Sequence, residues 1–290
     1  MGTHSTTAIV LRTVEFSETS LIVTLLTKDL GRVSALAKGA RRLKGPFEGS
    51  LDLLSVCRVV VIGKSGDTLD LLTESKLRRR FRGADRSLDR TYAGFYIAEM
   101  VRSLIDDDDP HQDLFDLTLA TLGQIDGTGP IAATLLAFDA QMLRLLGHAP
   151  ATRLCIGCGQ TVNRSRARMA FSLDNGGLVC DDCRGGQTGV VRISRSAVDV
   201  LHDLMAEVRP RHSDRPTRST DAGETDSPVK PIDVKPDDVS AYPIESLLFD
   251  LSPALTGEVR SILSRYYQRL LGRIPRMQDF VMQVPASTTS

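Results

Sequence analysis

Four of the five cysteines fall into two Cys-x-x-Cys pairs, CIGC at 155–158 and CDDC at 180–183, separated by twenty-one residues. Four thiolates at this spacing are the donor set of a tetrahedral metal site, and zinc is the ion expected there. Gly157 and Gly159, with Gly176 and Gly177, ease the tight turns that such knuckles need. If Cys155, Cys158, Cys180 and Cys183 all coordinate, no position remains for water or substrate, so one structural Zn2+ is expected rather than a catalytic one. Binding of this kind supplies about 10–16 kcal/mol of folding free energy in small modules, enough to hold an insert with little core. Unrelated free thiols or two disulfides are the competing accounts, and a reducing compartment disfavours the second. Cys57, in an apolar run, is expected in the core.

The second constellation is the basic turn AKGARRLKGPFEG at 37–49. Lys38, Arg41, Arg42 and Lys44 lie within seven residues, and Gly39, Gly45 and Gly49 let the backbone approach a phosphate strand. Such side chains neutralise phosphates and release counterions, so binding should weaken with salt by roughly 0.7 log units per contact on a single strand. Arg78, Arg79, Arg80 and Arg82 form a further basic cluster. A solubilising surface is the plain alternative for both. Arg153, Arg164, Arg166 and Arg168 give the cysteine module positive charge of its own, which is either a DNA contact or a solvated face.

Catalytic constellations are missing from the sequence. The histidines are scattered at 4, 111, 148, 202 and 212, and no Walker loop, GxSxG or HExxH motif occurs. A zinc-dependent nuclease or deaminase would need an open metal position with a carboxylate base, where this chain offers four thiols. The expectation is a nucleic-acid binder and not an enzyme, with an RNA- or transcription-complex-binding protein as the alternative.

The net charge of zero hides a segregation. Residues 1–82 carry 14 Lys and Arg against 8 Asp and Glu, a net of +6, whereas residues 83–150 carry 4 against 11, a net of −7. The first segment faces a polyanion on this reading, and the second does something else.

The elements that must position these groups follow from periodicity. Residues 6–77 read as five β runs at 6–16, 20–27, 31–40, 51–63 and 67–75, which suits a small closed barrel of OB or SH3-like type. Phe16 and Phe47 are the only aromatics in the first eighty residues, so sequence-specific base readout is not expected. From residue 83 the spacing of Leu88, Tyr92, Phe95, Tyr96, Met100 and Leu104 is helical, and 112–125 and 131–147 repeat it. The run Asp106–Asp109 before Pro110 is expected to cap the helix starting near His111, with a divalent-metal site as the sharper alternative.

The expected organisation is α+β: a five-stranded OB-fold barrel followed by a helical domain that carries a four-cysteine zinc-finger insert. The barrel covers 1–82, the helical domain 83–152 and the zinc module 153–188, and the helical domain continues over 189–208 with helix from Ile193. A polar, disordered linker follows at 209–241, then helix at 242–280, resuming near Ile244, and a tail at 281–290. With no eighteen-residue apolar stretch and a start, MGTHSTTAIVLR, unlike a secretory signal, the expectation is cytoplasmic and nucleoid-associated, without a membrane.

Taken in order, these segments resemble the bacterial RecO family of DNA repair and recombination mediators. The resemblance rests on GRVSALAKGARRLKGPFEGSLDLL at 31–54, FDAQMLRLLGHAP at 138–150 just before the first cysteine pair, and YYQRLLGRIPR at 266–276. It implies action in the RecF pathway: binding of single- and double-stranded DNA, annealing of complementary strands, and loading of RecA with RecR onto coated single strands. It also implies contact with the C-terminal tail of single-stranded DNA-binding protein, for which Arg144 between Leu143 and Leu145 is the candidate. By position, the DNA contacts would be Lys38, Arg41, Arg42 and Lys44, and the zinc ligands the four paired cysteines. Two departures stand out: Gly45-Pro46 where the family usually has Ser or Thr, and the length of 209–241.

Overall fold

Five strands close into a barrel in the computed structural model, which describes residues 2–42, 45, 47, 49–64, 69–206 and 251–283. They are β1 (Thr3–Glu15), β2 (Leu21–Thr27), β3 (Gly31–Ala37), β4 (Val56–Ile62) and β5 (Asp70–Arg79). Their order is β1-β2-β3-β5-β4 with β4 returning to β1, and only the β3–β5 pairing is parallel. This is the five-stranded OB arrangement and not an SH3-like one.

The apolar runs of these strands are nearly continuous because two faces are buried. Ala8, Val10, Val23, Leu25, Val33, Val59 and Leu72 fill the barrel, while Ile9, Leu11, Leu26 and Val56 point outward into the core of the helical layer. Register breaks once on β1: Val10 pairs with Leu25 and Arg12 with Thr24, leaving Leu11 as an extra residue. The stretch Leu51–Ser55, expected as strand, is a turn in which Leu54 takes a φ of 65°. Its carbonyls and N–H groups serve β1 instead, through Leu54 N–H to Val10 O at 2.8 Å and Val10 N–H to Ser55 O at 3.0 Å.

The short α1 (Gly83–Arg86) leads into α2 (Leu88–Leu104), α3 (Gln112–Asp126) and α4 (Ile131–Leu145). Ser87 caps α2 by accepting from the Arg90 N–H at 3.2 Å. Tyr96 and Met100 are buried as the helical spacing predicts, but Leu88 is 62% exposed because it sits on the first turn, ahead of the packed face. A three-stranded sheet of order β7-β6-β8 follows, from β6 (Arg168–Ser172), β7 (Gly177–Val179) and β8 (Val190–Ser194). Helix therefore starts later than the expected Ile193. The β-branched Val190, Val191 and Ile193 pair with β6, and Ser194 then caps α5 (Arg195–Leu204).

From residue 251 onward, α6 (Pro253–Leu271) begins with a Ser252 cap and Pro253 in its first turn, and ends at Gly272 with φ 64°. A final turn, α7 (Gln278–Met282), packs on α2. The expected linker 209–241, the helix start near Ile244 and residues 284–290 of the expected tail lie outside the described residues. Among the described residues no helix is long and apolar enough to cross a membrane.

The acidic run does not cap α3, whose N-cap residue His111 makes no side-chain cap bond. It docks on the barrel. Asp108 N–H donates to the Arg32 carbonyl at 3.0 Å, Arg32 Nε donates to the Asp107 carboxylate at 2.6 Å, and Asp109 meets His111 at 2.9 Å. A four-carboxylate run before a proline is thus used for joining two layers.

Candidate metal centre and nucleic-acid interface

The first knuckle is built by pairing its leading strand to β7. Ile156 N–H donates to Leu178 O at 3.0 Å and Leu178 N–H to Ala151 O at 2.8 Å, which brings Cys155 beside Cys180 at the end of β7. Gly159, with φ 71°, closes the turn by donating to Cys155 O at 2.8 Å. Gly157 is required by close approach, since a Cβ there would lie 3.0 Å from both Cβ and Sγ of Cys183. The result is that Cys155, Cys158, Cys180 and Cys183 bring their sulfurs within 4.8 Å of one another.

Cys158 and Cys180 are 3.9 Å apart at Sγ, far beyond a disulfide of about 2.05 Å. Four sulfurs at about 2.3 Å from a common ion would be separated by about 3.8 Å, so this geometry fits a metal and excludes the disulfide account. Burial pushes the Cys155 thiol up, but the N–H groups of Cys180, Cys158 and Gly157 outweigh it and hold the thiol at about 6. The crowding sulfurs of Cys180 and Cys158 push Cys183 up to about 12. Four cysteine sulfurs this close to one another could hold a metal ion. Four cysteine donors would fill all the positions of a tetrahedral ion.

The basic turn leaves β3 at Ala37 and is tied to the β1–β2 hairpin. Arg41 N–H donates to Thr19 O at 3.0 Å, and the Arg41 guanidinium reaches Glu15 at 3.1 Å. Gly39, at φ 75°, accepts from the Arg42 N–H at 3.1 Å, and Gly45 folds back toward Gly39. Phe47, 4% exposed, inserts into the barrel core and anchors the far side. Lys38 and Arg42 are exposed and face no carboxylate among the described residues. Lys44 and Pro46 lie outside the described residues.

Strand alternation divides the second cluster. Arg78 and Arg80 are exposed, and Arg80 reaches back to the turn through Gly49 O at 3.3 Å and Asp52 at 3.5 Å. Arg79 points the other way, half-buried, toward the Leu119 carbonyl at 3.5 Å. Burial holds its guanidinium below the usual range, opposed by Asp126. Arg82 is exposed, and its backbone N–H donates to Asp126 at 2.8 Å.

Phe16 is the residue that sequence reasoning could not rank. It is 60% exposed at the tip of the β1–β2 hairpin, next to Glu15 and Ser17, both of which touch Arg41. Alternation in β1 gave no signal, because the hairpin tip lies beyond the barrel wall.

Arg144 donates to Gln141 at 2.8 Å, and Gln141 in turn donates to Leu204 O and Ala206 O, so Arg144 belongs to the network holding the end of α5. In the cysteine module Arg164 pairs with Asp199, Arg166 with Asp181 at 2.8 Å and Arg168 with Glu258 at 3.8 Å, while Arg153 is exposed.

Comparison with known proteins places these features. Protein-family models described as recombination protein O N terminal and recombination protein O C terminal match residues 1–81 and 86–213. A DNA repair protein RecO from Rhodopirellula baltica is 59% identical over 274 residues, covering 94% of this chain and 97% of its own. One from Anaeromyxobacter dehalogenans is 37% identical over 180 residues, 62% and 70% of the two chains. One from Roseiflexus is 27% identical over 281 residues, 97% and 86%.

Proposed function

Because the chain belongs to the RecO family of DNA repair proteins, we propose that it is a recombination mediator of the RecF pathway that holds DNA on the basic edge of its barrel. It binds single and double strands, anneals complementary strands, and with RecR helps load RecA onto coated single-stranded DNA. Residues 1–82 act as the nucleic-acid domain, 153–188 as the zinc module and the intervening helices as the partner-binding layer, in the cytoplasm at the nucleoid. It acts as a mediator, without turnover.

One observation carries the DNA reading: Lys38, Arg41 and Arg42 converge at one end of the barrel, and two of the three meet no carboxylate among the described residues. Arg80 adds charge beside the turn, Lys44 and Arg78 are assigned to the same contact by sequence, and Arg79 steadies the strand behind. The mechanism is neutralisation. Phosphates of one strand held on this edge no longer repel the incoming complement, which removes the barrier to annealing. Cys155, Cys158, Cys180 and Cys183 would hold one Zn2+, which keeps the module folded and supplies no reaction chemistry. Arg144 is the proposed basic contact for the acidic tail of single-stranded DNA-binding protein.

The test is the replacement of Lys38, Arg41, Arg42 and Lys44 by alanine, followed by measurement of single-strand affinity across salt. The expected result is a large loss of affinity and a log–log slope flatter by roughly 2.8, from four contacts of about 0.7 each. Unchanged affinity and slope would remove the barrel edge from the mechanism. Annealing of strands coated with single-stranded DNA-binding protein, with and without its acidic tail, tests the partner contact.

A further inference from the structure

We propose that Arg12, Arg32, Arg102 and Arg273, gathered where the barrel meets the helices, form a second phosphate-binding site that receives the nucleic-acid strand leaving the basic turn. The inference rests on the DNA-binding reading above and extends it to a position no motif marks.

The β1 bulge creates the site. Val10 points into the barrel, so a regular strand would also send Arg12 inward. The extra residue, Leu11, instead leaves Arg12 opposite Thr24, on the outer face that Leu26 and its cross-strand partner Arg32 share. Bulges re-aim side chains in this way and recur beside functional sites. From the helical side, Glu99, Arg102 and Ser103 lie on one face of α2 at i, i+3 and i+4. Arg32 Nη1 donates to the Arg102 carbonyl at 2.5 Å, which fixes the two elements together, and Arg273 Nη2 donates to Ser103 Oγ at 2.6 Å.

Four guanidiniums thus meet two carboxylates, and both carboxylates are engaged. Asp107 accepts from Arg32 at 2.6 Å. Glu99 accepts from Arg273 at 3.2 Å and from the backbone N–H groups of Arg276 and Met277 at 2.9 and 2.8 Å. Arg12 and Arg102 have no carboxylate within ion-pair distance among the described residues. Burial and then Arg12 hold the Arg102 guanidinium below its usual range; Glu99 opposes them, and Arg273 and Arg32 add to the repulsion. A phosphodiester placed here relieves that repulsion and suits the planar forks of arginine.

Location identifies the anion as part of a strand. Arg12 is three residues along β1 from Glu15, which holds Arg41, so the two lie about 10 Å apart along the strand and on opposite faces of it. The basic turn and the junction are therefore two stations joined by β1, close enough for one nucleic-acid strand to reach both.

Fluorescence anisotropy on the full chain, using a labelled single strand of roughly 30 nucleotides, tests this. Arg12→Gln/Arg102→Gln is expected to lose about tenfold in affinity and to flatten the salt slope by roughly 1.4. Arg12→Gln alone changes an exposed side chain and should flatten the slope by roughly 0.7 without altering the melting temperature. Parent-like affinity and slope in both variants would overturn the proposal. Lys38→Ala/Arg41→Ala/Arg42→Ala is the separating control and should lose affinity as well. If it loses none while the junction variants do, the basic-turn reading fails and the junction site stands.

Discussion

Gly31 lies so close against Asp109 that a Cβ on Gly31 would overlap the Asp109 carbonyl. Around this contact, the β2–β3 turn of the barrel is joined to the acidic run by Arg32–Asp107 and to α3 by Lys28–Asp116 at 3.0 Å. The opposite charges of the two segments, +6 and −7 by sequence, are thus partly spent on each other.

Gly31→Ala should therefore be among the most disruptive small substitutions in the barrel. It adds a clash to a φ of 75°, and a loss on the order of 1–3 kcal/mol is expected in denaturant melts. Asp107→Asn, which breaks only a half-exposed ion pair, should cost under about 1 kcal/mol.

Stability should fall as pH rises from about 4 to about 7, because of Asp139. Burial raises its carboxyl from 3.8 to about 7, against the lowering effects of the Tyr96 hydrogen bond and Arg260. Below about 4 the group is protonated in both states. Between about 4 and 7 only the folded state keeps the proton, and above about 7 the folded state must carry a buried charge. Asp139→Asn retains an acceptor for the Tyr96 hydroxyl, 3.0 Å away, and should flatten this decline in urea melts at about pH 5 and about pH 8. An equally steep decline in the variant would show that another group governs it.

Metal removal should unfold the cysteine module while sparing the barrel. Purified protein is expected to release about one zinc per chain when its thiols are modified. Cys183→Ser should lower that stoichiometry and leave the module sensitive to proteolysis. A chain that contains no metal yet resists protease equally would contradict the assignment.

The two aromatics of the barrel segment should separate binding from folding. Phe16→Ala is expected to leave melting unchanged and to weaken single-strand binding by about 1–3 kcal/mol, the value of one base stack. Phe47→Ala should cost about 3–5 kcal/mol of stability, because that ring is 4% exposed in the barrel core. Loss of stability without loss of affinity in Phe16→Ala would assign it a packing role.

The cysteine spacing, the β-to-helix change near residue 83 and the basic turn could all be read along the chain, since each is a local pattern of residue type and period. So was the metal donor set: two short knuckles leave four sulfurs little freedom once they share an ion. The tertiary structure decided which charges remain available. Arg78, Arg79 and Arg80 look alike in sequence, yet strand alternation and the docked α3 turn Arg79 toward Leu119 and leave its neighbours exposed. Asp106–Asp109 read as a cap, but pairing with a strand more than seventy residues away engages them elsewhere. Tyr267 and Tyr266, in the closing helix, donate to the carbonyls of Asp139 at 2.7 Å and His148 at 3.1 Å, contacts that no spacing predicts. A one-residue bulge after Val10 moves Arg12 from the barrel interior to its outer face. Residue type and period are encoded locally, whereas the direction of a side chain and the partner that neutralises it depend on register and on packing between distant segments.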